Sequence, residues 1–207
     1  RVICARCLYV GARGSIGHGK PGPVPPGLDF GLWQGPAPER PYVDNLVPYN
    51  WHWRWHWGGG ELLNNGVHAL DLVRWGLGVE YPVRVTFNGG RYHFQDDQET
   101  PDTGVAVFDF GGCGASWDDS SCAPRSQDHL PFVAFYGEGG AVIQDGAGYK
   151  VYDLKGAEVS GGTGPANDKV HFENFIGAIR AGAKLNSEIE EAQKSTLLCH
   201  LGNIAYR

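Results

Sequence analysis

Three consecutive glycines, Gly58–Gly60, precede the residues whose types and spacing best support chemistry. Such glycines let the backbone bend sharply or approach a ligand closely. In the helix predicted to follow, Asn64 and His68 share one face, and Asp71 lies three residues beyond His68, where it would orient the imidazole. An imidazole accepts a proton near neutral pH, as alcohol oxidation requires when hydride leaves the carbon. His68 is therefore a candidate general base, with Asn64 and Asp71 beside it, although single helix histidines also serve structural roles.

The segment before the glycines, residues 51–57 (WHWRWHW), alternates tryptophans with His and Arg side chains, and we call it the tryptophan segment. If it is extended, four tryptophans face one side, while two imidazoles and a guanidinium face the other. This arrangement suits carbohydrate, because an indole covers the C–H face of a pyranose while polar groups reach its hydroxyls. The alternative is that the tryptophans fill the core. The candidate substrate-binding residues are His52, Trp53, Arg54, His56 and Glu61.

A metal site is an alternative for the same segment. If it were helical, His52 and His56 would lie one turn apart, and Glu61 or His68 would have to supply a third ligand. Glu61 also suits a helix N-terminus, where the helix dipole stabilises a carboxylate. Asp71 suits an ion pair with Arg74, three residues further on. We expect no metal site, with the divalent metal kept as the weaker alternative.

Two motifs near the N-terminus resemble phosphate-binding loops but lack the elements that such loops need. Gly11–Gly17 follows a predicted strand with dinucleotide-type glycine spacing, yet Pro21 and Pro23 exclude the helix that should come next. Read as a phosphate loop, Gly14 to Lys20 meets Pro21 where a Ser or Thr would bind magnesium. We therefore expect this chain alone to bind neither NAD nor NADP.

The elements that position these residues follow from hydrophobic periodicity. Residues 2–10 predict a strand, 11–48 a long Gly/Pro-rich loop against the body, and 83–153 a series of short strands at hairpin spacing. Periods of 3.6 predict helices at 67–77, 169–181 and 188–206. This order predicts one α+β domain over residues 1–207, a mostly antiparallel open β-sheet with helices packed on one face. The other face must be solvated or paired with a second subunit.

Composition narrows the function classes. The 207 residues carry 17 Lys and Arg against 23 Asp and Glu, a formal charge of −6, so nucleic acid and anionic membranes are not expected partners. No apolar stretch approaches the ~18 residues of a membrane span. Five cysteines without a disulfide pattern favour a reducing compartment. A cytoplasmic location is expected, and a removed export signal stays open.

Several separated motifs together indicate a family. The run GGGELLNNGVHALDLVRW resembles the glycine-rich signature of the C-terminal, substrate-binding domain of Gfo/Idh/MocA oxidoreductases (glucose-fructose oxidoreductase, inositol dehydrogenase and rhizopine catabolism proteins). The resemblance extends to four further motifs across nearly the whole chain. They are LWQGPAP at 32–38, PDT at 101–103, HFENF at 171–175 and STLLCHLGNIAYR at 195–207.

The resemblance implies a NAD(P)-dependent sugar or polyol oxidoreductase, with His68 as the general base and the open sheet face forming a homo-oligomer. Asn64 stands where the family commonly has a catalytic Asp, and it forms hydrogen bonds without carrying charge. The family's dinucleotide-binding Rossmann half is absent from these residues, so NAD or NADP would need that half from elsewhere. The alternatives are a standalone carbohydrate-active domain, a cofactor-free or metal-assisted hydrolase or lyase, and a noncatalytic sugar-binding module.

Overall fold

A single eight-stranded sheet organises the chain in the computed structural model, which describes residues 1–125, 127–129, 131–164 and 167–207. Its spatial order is β2-β3-β4-β1-β5-β6-β7-β8, and every neighbouring pair is antiparallel except β1 and β4. The predicted α+β class with a mostly antiparallel open sheet is confirmed. The strands are β1 (Val2–Val10), β2 (Arg84–Gly90), β3 (Thr103–Asp109), β4 (Gly114–Ser120), β5 (Val133–Gly137), β6 (Gly140–Asp145), β7 (Gly148–Tyr152) and β8 (Glu158–Thr163).

The first strand lies at the centre of the sheet. It pairs in parallel with β4, with Cys4 opposite Gly114, and antiparallel with β5, with Cys7 opposite Val133. Central placement agrees with its sequence, which is rich in apolar and β-branched residues. Ala5 and Cys7 of β1 are both buried.

Two long helices cover one face of the sheet. α3 packs on β1, β4 and β5, α5 packs on β2, and the two helices pack against each other. The predicted helix ranges 67–77, 169–181 and 188–206 are each confirmed to within one residue at either end. The helices are α1 (Phe30–Gln34), α2 (Gly60–Asn64), α3 (Gly66–Leu77), α4 (Asp168–Ala181) and α5 (Ile189–Tyr206), with a 3-10 turn at Asn50–Trp53.

The core lies between α3, α5 and the inward side of the sheet. Along β3, Ala106 and Phe108 are fully buried while Val105 and Val107 are exposed, the alternation expected of a sheet covered on one face. α4 contributes nothing to the core, because none of its residues is buried. Leu70, Val73, Trp117 and Leu198 are also fully buried.

Three elements were not anticipated, and one expected conformation is wrong. α1 and α2 are single turns too short to show a period, and β8 contains two glycines that weaken a strand pattern. The tryptophan segment is not an extended ribbon, because Asn50–Trp53 forms a 3-10 turn and the chain bends again before the glycines. Its four indoles therefore do not face one side.

Two adjacent aspartates hold the long 11–48 loop against the body. The Asp96 carboxylate accepts hydrogen bonds from Ser15 Oγ at 2.8 Å and Ile16 N at 2.9 Å. Asp97 accepts one from Gly19 N at 2.8 Å. The loop consequently lies beside the tryptophan segment.

All five cysteines are free thiols. Within the described residues, the helices are too short or too polar to cross a membrane.

Candidate functional site

A groove beside the glycine run gathers aromatic and polar side chains from the tryptophan segment, α2 and α5. Its cavity volume is about 490 Å³. We call it the aromatic groove. It brings together three indoles, three imidazoles, one amide and the glycine backbone. Its lining residues are Trp51, His52, Trp55, His56, Trp57, Gly58, Gly59, Gly60, Leu63, Asn64 and His200.

Close backbone packing explains the glycines. A Cβ on Gly58 would lie 2.4 Å from the His52 carbonyl oxygen, so any side chain there would force the two segments apart. Gly60 has φ of +69°, and a Cβ on it would lie 2.7 Å from the Cβ of Thr100. Only glycine accommodates both the left-handed backbone and this approach. The turn thus brings the tryptophan segment against the start of α2.

The tryptophans divide between the groove and the core. Trp53 is 1% exposed, and the Arg13 guanidinium stacks 4.3 Å from its ring centroid. Trp51, Trp55 and Trp57 are half-buried and line the groove. Trp53 therefore belongs to the core instead of the groove, and carbohydrate binding by the other three indoles stays a prediction.

Two predicted binding residues of the segment have fixed imidazole orientations. His52 Nδ1 lies 2.6 Å from the Tyr49 carbonyl oxygen, and His56 Nε2 lies 2.6 Å from the Pro38 carbonyl oxygen. The second contact ties the groove to the 11–48 loop. His52 also stacks on Trp51, with ring centroids 3.7 Å apart.

Arg54 lies outside the groove lining, contrary to its predicted role. Its Nη2 donates to Asp97 Oδ2 at 2.8 Å and to Asn45 Oδ1 at 2.9 Å. Burial alone would raise the pKa of Asp97, but hydrogen bonds from Gly19, His18, Asn45 and Arg54 outweigh it and lower that pKa to about 2. Arg54 therefore fastens the loop, and the bend after the 3-10 turn is what directs it there.

Glu61 also lies away from the groove lining, although it is next to it in sequence. Its side chain is buried and accepts a hydrogen bond from Asn65 Nδ2. Burial raises the pKa of Glu61, and the bonds from Asn65 and Asn64 only partly oppose it. The Glu61 carboxyl therefore forms its hydrogen bond inside the junction between α2 and α3.

His68 and Asn64 are separated by a helix break. α2 ends at Asn64, Asn65 is a turn residue, and α3 begins at Gly66. Asn64 lines the groove, with Nδ2 3.5 Å from the Tyr49 hydroxyl. His68 is exposed at the start of α3 and is not part of the lining. Its imidazole has no hydrogen-bond partner among the residues that the structure describes.

Asp71 does not orient His68. Its carboxylate accepts a hydrogen bond from Ser195 Oγ at 2.5 Å, and the same hydroxyl accepts one from Arg74 Nη1 at 2.9 Å. Arg74 in turn pairs with Glu191 at 2.9 Å. The Asp71 side chain therefore belongs to the polar contact between α3 and α5, and the predicted ion pair with Arg74 is replaced by a bridge through Ser195.

The sequence reasoning missed two parts of this region. His200 reaches the groove from α5, and its motif STLLCHLGNIAYR was noted only as part of the family resemblance. Asp119 of β4 is 2% exposed and accepts a hydrogen bond from Trp117 Nε1 at 2.7 Å, while its Oδ1 has no partner among the described residues. Burial raises the pKa of Asp119 to about 8, with the nearby Glu61 adding to the effect.

Neither a metal nor a dinucleotide finds a complete set of ligands here. Among the described residues, no group of three or more His, Cys, Asp or Glu side chains lies close enough together to hold a metal ion. His52, His56 and Glu61 therefore do not form such a group. Gly11–Gly17 follows β1, but residues 11–20 form no helix. A pyrophosphate would thus lack a helix N-terminus at this loop, and its residues do not fit the group.

Comparison with known proteins identifies the family but leaves the substrate unassigned. Residues 33–143 match the GFO/IDH/MocA C-terminal domain, whereas curated proteins gave no match. One similar solved structure is the WlbA dehydrogenase of Bordetella pertussis in complex with NADH and UDP-GlcNAcA. It is 16% identical to this chain with a TM-score of 0.62, and the match covers 99% of this chain and 52% of the WlbA chain.

Two further structures show the same fold. A putative NADPH-dependent oxidoreductase of Desulfitobacterium hafniense is 16% identical, with a TM-score of 0.64. Biliverdin reductase of Synechocystis, in complex with biliverdin and NADP+, is 15% identical, with a TM-score of 0.63. For both, the match covers 99% of this chain and 55% of the other, so this chain spans about half the length of these structures. The chain belongs to the GFO/IDH/MocA C-terminal domain family.

Proposed function

We propose that this chain is the substrate domain of a NAD(P)-dependent oxidoreductase that acts on a sugar or polyol. The observation that carries the proposal is the aromatic groove, in which half-buried indoles lie beside imidazoles and Asn64. Indole faces suit the C–H face of a pyranose, and the polar groups suit its hydroxyls. The dinucleotide-binding half is supplied elsewhere in the protein, since similar structures are about twice as long.

The chain's own contribution to the reaction is to bind the substrate and accept its proton. Asn64 holds a hydroxyl through its amide, which donates and accepts hydrogen bonds but carries no charge. His68 lies four residues further along the chain, beyond the helix break and exposed outside the groove lining, and in this proposal it takes the hydroxyl proton as general base. In this proposal, the dinucleotide-binding half covers the exposed start of α3 and closes the site over His68.

Replacement of His68 in the full-length protein tests the assignment. His68→Ala should lower kcat by ~10²–10⁴-fold, because general-base catalysis contributes that much. The melting temperature should stay unchanged, since the imidazole is exposed and without a partner among the described residues. His171→Ala, also at an exposed helix position, is the matched control. Unchanged turnover in His68→Ala would exclude His68 as the base.

The open face of the sheet is our proposed homo-oligomer interface. Val105 and Val107 project from this face with 36% and 44% exposure. Burying them against a second copy would remove apolar surface from water. Val107→Lys should therefore shift the protein toward monomer in light scattering, whereas a mass of one chain for the unaltered protein at high concentration would exclude the interface.

We propose a cytoplasmic location for the protein. Its five free thiols suit a reducing compartment, because oxidising compartments favour disulfides. Cell fractionation of the full-length protein tests the location, and recovery from an exported fraction would contradict it.

A further inference from the structure

We propose that the aromatic groove selects uncharged sugars over sugar acids and sugar phosphates, because its two fixed imidazoles present hydrogen-bond acceptors to the substrate. The inference rests on the proposed function, since it concerns the substrate of the same groove. It follows from the proton positions on His52 and His56 and from the absence of charged side chains among the described lining residues.

The Tyr49 carbonyl fixes the proton of His52. A carbonyl oxygen only accepts hydrogen bonds, so the ring nitrogen 2.6 Å away, Nδ1, must carry the hydrogen. In the neutral ring the other nitrogen, Nε2, then holds a lone pair. This nitrogen has no partner among the described residues and is not one of the buried unpaired atoms, so it remains accessible to a ligand.

The Pro38 carbonyl fixes His56 in the opposite tautomer. Here Nε2 lies 2.6 Å from the carbonyl oxygen and carries the hydrogen, so Nδ1 of the neutral ring is the acceptor. Nδ1 is likewise accessible and without a partner among the described residues. Two backbone carbonyls from different segments thus orient two rings of the groove lining, and each ring keeps one nitrogen without a partner among the described residues.

The neighbouring charges are directed elsewhere. The Arg54 guanidinium pairs with Asp97, and the Glu99 carboxylate accepts the Trp55 backbone N–H at 2.7 Å. Arg207 stacks on the Trp55 ring, with its Cζ 5.6 Å from the ring centroid, and is not a lining residue. His200 is the remaining titratable lining residue, and it lies on α5. Within the described lining, therefore, no permanent cation is present to neutralise an anionic ligand.

Acceptor nitrogens distinguish hydroxyls from anions. A sugar hydroxyl donates its hydrogen to a neutral imidazole and gains a bond. A carboxylate or phosphate dianion has no hydrogen to donate, and it would lose hydration against three indoles without a compensating cation.

Calorimetric titration of the full-length protein tests the inference. The probes are methyl pyranosides of gluco, galacto and manno configuration, the matching uronic acids and the matching 6-phosphates, each at pH 8.0. At pH 8.0 we expect a neutral pyranoside to bind about tenfold or more tightly than its acid and phosphate, the scale of one lost hydrogen bond with an uncompensated polar group.

Two variants assign the effect to the acceptors. His52→Phe and His56→Phe keep a ring but remove the nitrogen, so each should weaken neutral-sugar binding severalfold and reduce the ratio between neutral and acidic probes. His171→Phe, on α4, is the control. Equal or tighter binding of acids or phosphates at pH 8.0 would overturn the inference while leaving a sugar-binding groove. Failure of the whole panel to bind would overturn both the sugar assignment and the inference drawn from it.

Discussion

The buried Asp119 predicts an unusual pH dependence of stability. Its carboxyl is 2% exposed, and one oxygen has no partner among the described residues. Burial, reinforced by the nearby Glu61, raises its pKa from 3.8 to about 8. The folded protein therefore keeps a proton on Asp119 between about pH 4 and pH 8, while the unfolded chain has released it.

The sign and magnitude follow from linkage. Unfolding releases this proton, so the free energy of unfolding should fall as pH rises from about 4 to about 8, by roughly 1.4 kcal/mol per pH unit. The whole window amounts to a loss on the order of 5 kcal/mol. Asp119→Asn has the shape of the protonated acid and keeps an oxygen for the Trp117 N–H, but it cannot ionise. The variant should lose this part of the pH dependence.

Urea denaturation followed by tryptophan fluorescence measures the effect at intervals from pH 5 to 9. The stability of Asp119→Asn relative to the unaltered protein should increase with pH and level off above about pH 8. Asp168→Asn, the same change at an exposed position on α4, should show no such trend. A constant difference between Asp119→Asn and the unaltered protein across the range would refute the reasoning.

Three other changes have defined outcomes. Gly60→Ala should destabilise by ~1–3 kcal/mol and more than Gly156→Ala, because both backbones have positive φ but only the first Cβ meets another residue, Thr100. Thermal unfolding of the pair measures the difference. Asp97→Asn should cost ~2–3 kcal/mol at neutral pH, and this stability should disappear in the unaltered protein as pH falls from about 4 to about 2, since the folded pKa is depressed to about 2. Acid titration by circular dichroism checks it. Ser195→Ala should cost ~1–3 kcal/mol in urea denaturation by removing the hydroxyl that bridges α3 and α5.

Periodic elements were predictable from the sequence, whereas the direction of individual side chains was not. The bounds of α3, α4 and α5 follow from apolar spacing, and Gly78 in the left-handed conformation ends α3. The alternation of Trp and His residues suggested a strand, but local turn hydrogen bonds gave Asn50–Trp53 a 3-10 turn. Alternation indicates a strand only when a partner strand satisfies the backbone.

Part of the groove was predictable because several of its residues are close in sequence. Residues close in sequence, such as His52, His56 and Asn64, were identified together and are brought together. His200 was not, because nothing in the periodicity of α5 relates it to a segment more than 140 residues earlier. Arg54 was wrongly predicted to line the groove. Its actual partner, Asp97, lies in a loop, and no local sequence pattern specifies where that loop lies.

The central position of β1 has a consequence for synthesis on the ribosome. β1 alone joins the half-sheet β2–β4 to the half-sheet β5–β8, and its partners Gly114 and Val133 lie more than 100 residues downstream of Cys4 and Cys7. At typical elongation rates, translation of that interval takes roughly 5–25 s, during which the apolar strand has no partner. The strand must stay soluble through that delay, by transient contacts or with a chaperone, and its pairing closes loops of more than 100 residues, which slows formation of the sheet.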